Sequence, residues 1–109
     1  MKTGYSRKLP GAWRRISKVF MALGHEHRHR ILLLFDPGEK LNVTQIVEAS
    51  TLSRSAVVHH LKALHDAKIL RRRKEGKEVF YQLDAKVLEA SLQDVLDYIR
   101  ENYGNREES

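Results

Sequence analysis

The sequence contains no cysteine among its 109 residues. A chain without cysteine has no disulfide, no thiolate metal ligand and no thiol for redox sensing or nucleophilic catalysis. It also lacks any apolar run near the roughly 20 residues that cross a bilayer, and its basic N-terminus has no signal-peptide core. We therefore expect a cytoplasmic protein, with no membrane partner, that works without a cysteine-based metal or redox site.

Acidic residues are missing from the first 18 residues, which carry six lysines and arginines. A second basic block spans residues 53–77, with eight basic residues against two acidic ones, whereas residues 84–109 have seven acids against three bases. The formal net charge of +6 thus comes from two blocks rather than from an even surface. Blocks of this kind favour a polyanionic partner over a merely solvated face.

The chain length fits one compact domain, or one protomer of a dimer. Residues 1–11 include Gly4 and Pro10, show no apolar period, and are predicted to form a flexible basic arm. Residues 12–104 are predicted to form a single DNA-binding and dimerisation domain. Residues 105–109 are predicted to be a frayed tail.

The period of the apolar residues predicts the secondary structure of the domain. Helical spacing covers residues 12–23, 25–35 and 87–103, and two further helices lie on either side of a tight break at residues 51–55. The period then changes in ILRRR and EVFYQL, two β-prone runs that flank Gly76 as a hairpin. Two helices around a tight turn, followed at once by a hairpin, predict a mainly α fold with a β-hairpin wing, the winged helix-turn-helix.

The adjacent histidines, His59 and His60, point in different directions if residues 54–66 form a helix. With Val57 as the inward reference, His60 lies about 60° from it and His59 about 200° away. We therefore expect His60 to be partly buried and hydrogen-bonded within its own domain. His59 is expected on the outward face, where it neighbours Ser55.

The outward face of that helix matches the chemistry of DNA readout. A recognition helix presents its N-terminal residues to base edges in the major groove. There serine, histidine and arginine offer hydrogen bonds, valine offers contact to a thymine methyl, and lysine suits phosphate. The predicted recognition residues are Ser53, Arg54, Ser55, Val58, His59 and Lys62.

The hairpin adds a dense positive charge beside this helix. Its cations repel one another in isolation, but beside a duplex they displace counterions. Alternation places Val79, Tyr81 and Leu83 on one face and Phe80 on the other, and one of these sets is expected to anchor the hairpin on the core. The predicted DNA-binding residues of the wing are Arg72, Arg73, Lys74 and Lys77.

Three segments in order resemble the ArsR family of winged-helix repressors. ALGHEHRHRILLLF follows the family's small-Leu-x-x-x-x-Arg-x-x-Ile-Leu pattern, LSRSAVVHHLKALHDAKIL resembles its recognition segment, and RRRKEGKEVFYQL resembles its wing. The resemblance covers residues 16–103. It implies a transcriptional regulator, a repressor rather than an activator, that binds a palindromic operator on double-stranded DNA as a homodimer.

The resemblance places the dimer contact on the first and last helices. Apolar stripes on these two helices support the same placement independently, because a lone small domain would leave them in water. The predicted interface residues are Ile16, Phe20, Leu92, Val95 and Ile99.

The sensing residues of the family are not matched. Asn42 and Thr44 stand where its arsenic and cadmium sensors have a Cys-x-Cys pair, and Lys86 and Arg100 stand where its zinc-type sensors have histidines. The resemblance therefore implies DNA binding but indicates no metal, no cofactor and no particular effector.

Two alternatives stay open from the sequence. His25 and His29 are four residues apart, as helical zinc ligands are, so a metal-responsive regulator with a histidine site is one alternative. A winged-helix module that binds protein or RNA is the other. A hydrolase is disfavoured, because no nucleophile elbow, phosphate-binding loop or acid pair marks a catalytic site.

Overall fold

The computed structural model describes residues 1–104, so the predicted frayed tail lies outside the described residues. The first ten residues are exposed and form no helix or strand. Within the described chain, every helix is too short or too polar to span a bilayer. The elements run in the order α1 Gly11–Leu23, α2 Glu26–Leu32, β1 Lys40–Asn42, α3 Val43–Ala49, α4 Arg54–Asp66, β2 Leu70–Glu75, β3 Glu78–Leu83 and α5 Ala85–Tyr103.

Side-chain caps define where α2, α3 and α4 begin. His25 Nδ1 accepts a hydrogen bond from His27 N at 3.3 Å. Asn42 and Gln45 form a reciprocal capping box, with two hydrogen bonds of 2.8 Å. Ser53 Oγ accepts from the amide three residues further on, at 3.2 Å. Each cap satisfies a backbone group that the first turn of a helix leaves without a partner.

The three strands form one antiparallel sheet in the order β1–β3–β2. Strands β2 and β3 pair from Leu70 and Leu83 down to Glu75 and Glu78, which leaves a two-residue loop that starts with Gly76. Gly76 has a φ of +63°. A positive φ at the first loop position is the conformation of a type II′ hairpin turn, where glycine is favoured.

The core is centred on α4. Val57, Leu61 and Leu64 are fully buried on one side of this helix, as the helical phasing predicts. Tyr81 and Leu83 pack against the core, so they belong to the set of wing residues that anchors the hairpin. The other large, fully buried side chains come from α1, α2, α3, the residue just before β2 and the first residue of β2, and they are Ile16, Val19, Ile31, Ile46, Ile69 and Leu70.

The structure differs from the sequence-based expectation at two elements. Helix α2 ends at Leu32 instead of near Phe35, because the amides of Leu34 and Phe35 bond carbonyls only three residues back, in tight turns. Strand β1 is not predicted from the sequence, since three residues are too few to show an alternating period. Neither difference alters the architecture. Helix α3, a tight turn, helix α4 and the β2–β3 hairpin form a winged helix-turn-helix, which confirms the predicted fold class.

Candidate nucleic-acid interface

A serine holds the turn between α3 and α4. Ser50 Oγ donates to the carbonyl of Val47 at 3.3 Å and accepts from the amide of Leu52 at 3.2 Å. The Leu52 side chain packs against the core. The turn is therefore fixed at both ends, and it sets the direction in which α4 leaves α3.

The predicted recognition residues all lie on the solvent side of α4. Val58 is 48% exposed although it is apolar, whereas the neighbouring Val57 is fully buried. His59 is exposed and His60 is 6% exposed, so the two histidines diverge as the phasing predicts. The exposed recognition residues are Ser53, Arg54, Ser55, Val58, His59 and Lys62.

Arg54 is held by the preceding helix. Its guanidinium donates to Thr44 Oγ1 at 2.7 Å, across the turn between α3 and α4. A guanidinium has five N–H donors, so most of them stay available after this bond. The contact restricts the side chain of the first residue of α4, which lowers the entropy lost when that side chain binds a target.

Lys62 has an anionic partner on its own helix. Its Nζ donates to Asp66 Oδ2 at 2.8 Å, one helical turn further on. This hydrogen bond is the main cause that lowers the pKa of the exposed Asp66 carboxyl, so the carboxylate is ionised at neutral pH. The Lys62 ammonium is therefore paired within α4 itself.

His60 is the acceptor for an arginine that joins three helices. Arg28 Nε donates to His60 Nδ1 at 3.1 Å, and its NH1 donates to the carbonyls of Met21 and Ala22 at the end of α1. Burial first, and then the charges of His25 and Arg28, lower the pKa of His60. A neutral imidazole can accept the arginine's hydrogen bond, whereas an imidazolium cannot. His60 is hydrogen-bonded within its own domain as predicted, and at 6% exposure it is more buried than the partial burial expected from the sequence.

The wing carries its cations on both faces of the hairpin. Arg72 lies opposite Tyr81, on the face that packs toward the core, and Arg73 lies opposite Phe80 on the other face. All four predicted wing residues are exposed, and no salt bridge engages any of them within residues 1–104. These four are Arg72, Arg73, Lys74 and Lys77.

Other cations near the hairpin are already neutralised. The Arg71 guanidinium lies 3.8 Å from an Asp84 carboxylate oxygen, and Lys40 Nζ donates to both carboxylate oxygens of Glu75 at 3.0 Å. Within the hairpin, the positive charge without a salt bridge to residues 1–104 is therefore that of the four wing residues.

The predicted dimer interface divides into buried and exposed residues. Ile16 is only 2% exposed within the single chain, so it is a core residue and not an interface residue. Phe20, Leu92 and Ile99 are 44%, 51% and 44% exposed, and Val95 is half-buried. Helices α1 and α5 pack against each other. The α1/α5 apolar face consists of Phe20, Leu92, Val95 and Ile99 together with Leu96, which the apolar period of the last helix includes, and with Met21 and Tyr103, which sequence reasoning missed.

The histidine ring next to His25 is that of His60, and not that of His29 as the metal-site alternative requires. The ring centroids of His25 and His60 are 4.6 Å apart, and His27 stacks beside His25 at 5.6 Å. The Nδ1 atoms of His25 and His60 accept N–H groups, so in the neutral rings the proton is on Nε2. His29 instead bonds the Leu23 carbonyl. In the part of the chain that the structure describes, no group of three or more potential ligands is arranged to hold a metal ion.

Two residues that hydrogen-bond side chains of α4 are missed by sequence reasoning. Arg28 stands in the quoted family pattern, but the pattern assigns it no role, and its contact with His60 joins residues 32 apart. Thr44 gives no signal in the sequence, because its bond to Arg54 joins two different helices. Both contacts depend on tertiary structure.

Comparison with known proteins gives the same assignment as these observations. The family model described as "Bacterial regulatory protein, arsR family" matches residues 25–72, from the cap of α2 into β2. An arsenical resistance operon repressor from Staphylococcus xylosus is 30% identical over 91 residues, which cover 84% of this chain and 79% of the relative.

Solved structures share the fold over nearly the whole chain. An ArsR-like transcriptional regulator from Rhodococcus sp. RHA1 matches with a TM-score of 0.79 at 25% identity, over 89% of this chain and 90% of that one. A homodimeric winged helix-turn-helix DNA-binding domain from Mycobacterium bovis matches with a TM-score of 0.67 at 20% identity, over 94% and 95% of the two chains. The relatives are regulators and not enzymes. The chain belongs to the ArsR family of winged helix-turn-helix transcriptional regulators.

Proposed function

We propose that this protein is a repressor that acts in the cytoplasm and binds a palindromic operator as a homodimer, through α4 and the wing. The observation that carries the proposal is a polar, solvent-facing α4 beside four wing cations that form no salt bridge with any other residue of the range 1–104. The Staphylococcus xylosus relative is a repressor by name, which supports the direction of the effect.

The residues of α4 divide into base-reading and phosphate-binding roles. Ser55 and His59 offer hydrogen bonds to base edges, and Arg54 offers a bidentate contact to guanine from a side chain already steadied by Thr44. Ser53 caps α4, so its contribution is to place the N-terminus of the helix. Val58 provides an apolar contact for a thymine methyl, and Lys62 pairs with phosphate.

The wing supplies affinity that does not depend on sequence. Each lysine or arginine that neutralises a phosphate releases counterions and steepens the salt dependence by about 0.9 per log unit of salt. Four such contacts in each of two protomers give a slope of about −7. The two kinds of contact can therefore be measured separately, because the wing contributes most of the salt slope, with Lys62 adding to it, whereas Arg54, Ser55, Val58 and His59 determine base preference.

The homodimer rests on the α1/α5 apolar face. Side chains such as Leu92 and Ile99 are about half exposed in the single chain, and covering them removes apolar surface from water. The similar Mycobacterium bovis domain is homodimeric by name. A symmetric pair would present its two recognition helices to successive major grooves, about 34 Å apart, which a palindromic operator matches.

The proposal is tested by fluorescence anisotropy with two duplexes of equal length, one from the region upstream of the protein's own gene and one with the same bases scrambled. We expect tighter binding to the natural duplex and a steep loss of affinity as salt rises. Equal binding to both duplexes would contradict sequence-specific readout. No binding to either would favour the alternative of a winged-helix module for a protein partner.

A further inference from the structure

A cavity of about 240 Å³ lies between α1, α5 and the segment that directly follows α4. We call it the α1/α5 cavity. Its wall is apolar, with Val19 from α1, Ala67 from the end of α4, and Val87 and Ala90 from α5. Ser91, only 6% exposed, adds one hydroxyl to the wall. The cavity therefore touches both helices of the proposed dimer contact and the end of the proposed recognition helix.

The rim of the cavity carries an excess of positive charge. Its two acids already have partners, since Asp94 lies 3.8 Å from the Arg15 guanidinium and Asp66 accepts from Lys62. Lys18 and Lys68 also line the cavity, and over residues 1–104 neither of them forms a salt bridge. An apolar wall with two available ammonium groups fits an anion that has an apolar body.

The backbone of Lys68 supports a role for its side chain. Lys68 has a φ of +63°, and it is the only residue other than glycine with a positive φ in the described chain. It sits just after α4, where its amide bonds the carbonyl of His65 and the amide of Ile69 bonds the carbonyl of Leu64. Glycine is favoured at this position of a helix end, because an L side chain is strained there. A lysine in this conformation places an ammonium group at the cavity despite that strain.

We propose that the α1/α5 cavity binds a small carboxylic acid with an apolar body, and that binding lowers the affinity of the protein for its operator. The volume is below the range of about 300 to 1,000 Å³ that holds drug-sized ligands, so the occupant is a single ring or a short chain. The carboxylate pairs with Lys18 and Lys68, and the body lies against Val19, Ala67 and Val87.

The coupling to DNA follows from the place of the cavity and rests on the proposed function. An occupant adds negative charge beside Asp66 and Lys68, at the end of α4, and it contacts the helices that set the distance between two protomers. The added negative charge disfavours binding of a polyanion, and contact with α1 and α5 gives the occupant a route to the dimer arrangement. Because coupling is reciprocal, the operator must weaken carboxylate binding by the same factor.

Ligand binding is tested first without DNA, so its outcome does not depend on the proposed function. Isotope-labelled protein is titrated with benzoate and with hexanoate, and benzyl alcohol serves as the neutral counterpart, at constant ionic strength. We expect saturable amide shifts at Ala67, Ala90 and Ser91 with a carboxylate, and at least tenfold weaker binding of the alcohol. If neither carboxylate gives saturable shifts there, or if the shifts concentrate at the wing arginines, the proposal is wrong.

Two variants test the site itself. Lys68→Gly removes an ammonium group and relieves the backbone strain, so it should bind benzoate at least tenfold more weakly while its melting temperature stays equal or rises. Ala90→Leu narrows the cavity with a residue that suits a helix, and should also abolish binding. Arg100→Gln, which removes a charge on α5 away from the cavity, is the matched control and should bind like the unmodified protein. Unchanged benzoate affinity in Lys68→Gly and Ala90→Leu would overturn the assignment.

The regulatory half is tested with the operator duplex. Saturating benzoate should lower operator affinity of the unmodified protein at least threefold relative to an equal concentration of chloride, and should leave that of Ala90→Leu unchanged. Benzoate that binds in the cavity with no effect on operator affinity would overturn the regulatory claim. Absence of operator binding even without benzoate would instead count against the proposed function.

Discussion

Helices α4 and α5 both present a face to solvent, and the two faces are opposite in character. The outer face of α4 carries residues such as Ser55, His59 and Lys62, whereas α5 exposes Leu92 and Ile99. A polar cationic face is stable in water and gains from an anion, but an apolar stripe is stable only when it is covered. The contrast supports the proposal of two kinds of partner for one small chain, a polyanion for α4 and a second copy for α5.

The substitution with the largest expected effect places a charge on the apolar face of α5. We expect Leu92→Asp to dissociate the dimer, because the carboxylate has to be desolvated at the contact. A protomer alone loses the second half-site, so operator affinity should fall by about 10²-fold or more. Light scattering measures the mass, and anisotropy measures the affinity. Gln93→Glu adds the same charge to the polar side of α5 and should leave both unchanged; a dimeric Leu92→Asp protein would disprove the interface.

Replacing each adjacent histidine separates stability from readout. His60→Ala leaves the Arg28 donor without its acceptor, and should lower the free energy of unfolding by about 1–3 kcal/mol. His59→Ala should change that free energy by less than about 0.5 kcal/mol, as exposed substitutions do. His59→Ala should instead weaken the free energy of operator binding by about 1 kcal/mol or more. Urea denaturation and anisotropy measure the two quantities, and the opposite pattern would mean that the orientation of α4 is misassigned.

A substitution of a base-contacting residue in α4 should change sequence specificity, whereas a substitution in the wing should change the salt dependence of binding. Arg54→Ala removes a base contact, so it should cost about 1–3 kcal/mol on the operator and much less on scrambled DNA. Lys77→Ala removes a phosphate contact, so it should weaken binding to all duplexes alike and reduce the salt slope by about 0.9 for each protomer. Titrations over a range of salt distinguish the two. A uniform loss in both variants would refute readout by α4.

The smallest effect concerns the pH dependence of stability. The pKa of His60 is lowered in the folded protein, mainly by burial, so the unfolded chain binds more protons near its ordinary value of 6.5. The free energy of unfolding should therefore decrease as the pH falls below 6.5 toward the folded pKa, and should be fully regained above 6.5. Denaturant curves at several pH values measure this slope. The His60→Ala variant should show a shallower slope, and an identical slope would exclude His60 as its source.

The sequence predicts α4 and the wing better than it predicts α1 and the other parts of the molecule. The phasing of α4 depends on a local period, and the buried Val57, Leu61 and Leu64 follow it. The wing depends on Gly76 and on short-range alternation, which are also local. Ile16 shows the limit of this reasoning, because an apolar stripe on α1 does not reveal which side packs against the chain itself.

The features that the sequence does not predict are contacts between residues far apart in the chain. The bond of Arg28 to His60, the bond of Thr44 to Arg54, and the pairing of β1 with β3 each join segments with no shared local pattern. The α1/α5 cavity is of the same kind, because its wall is assembled from three separate segments. Local period identifies a helix and its buried side, whereas tertiary contacts decide how the helix is oriented.

The absence of native cysteine allows a direct test of which helix meets DNA. Ser55→Cys and Gln93→Cys each create a single thiol, which is coupled to an iron chelate that cuts nearby DNA. We predict that the chelate on residue 55 cuts the operator in two clusters about one helical turn apart, and that the chelate on residue 93 cuts little. Equal cutting from both positions, or uniform cutting along the duplex from residue 55, would contradict the account.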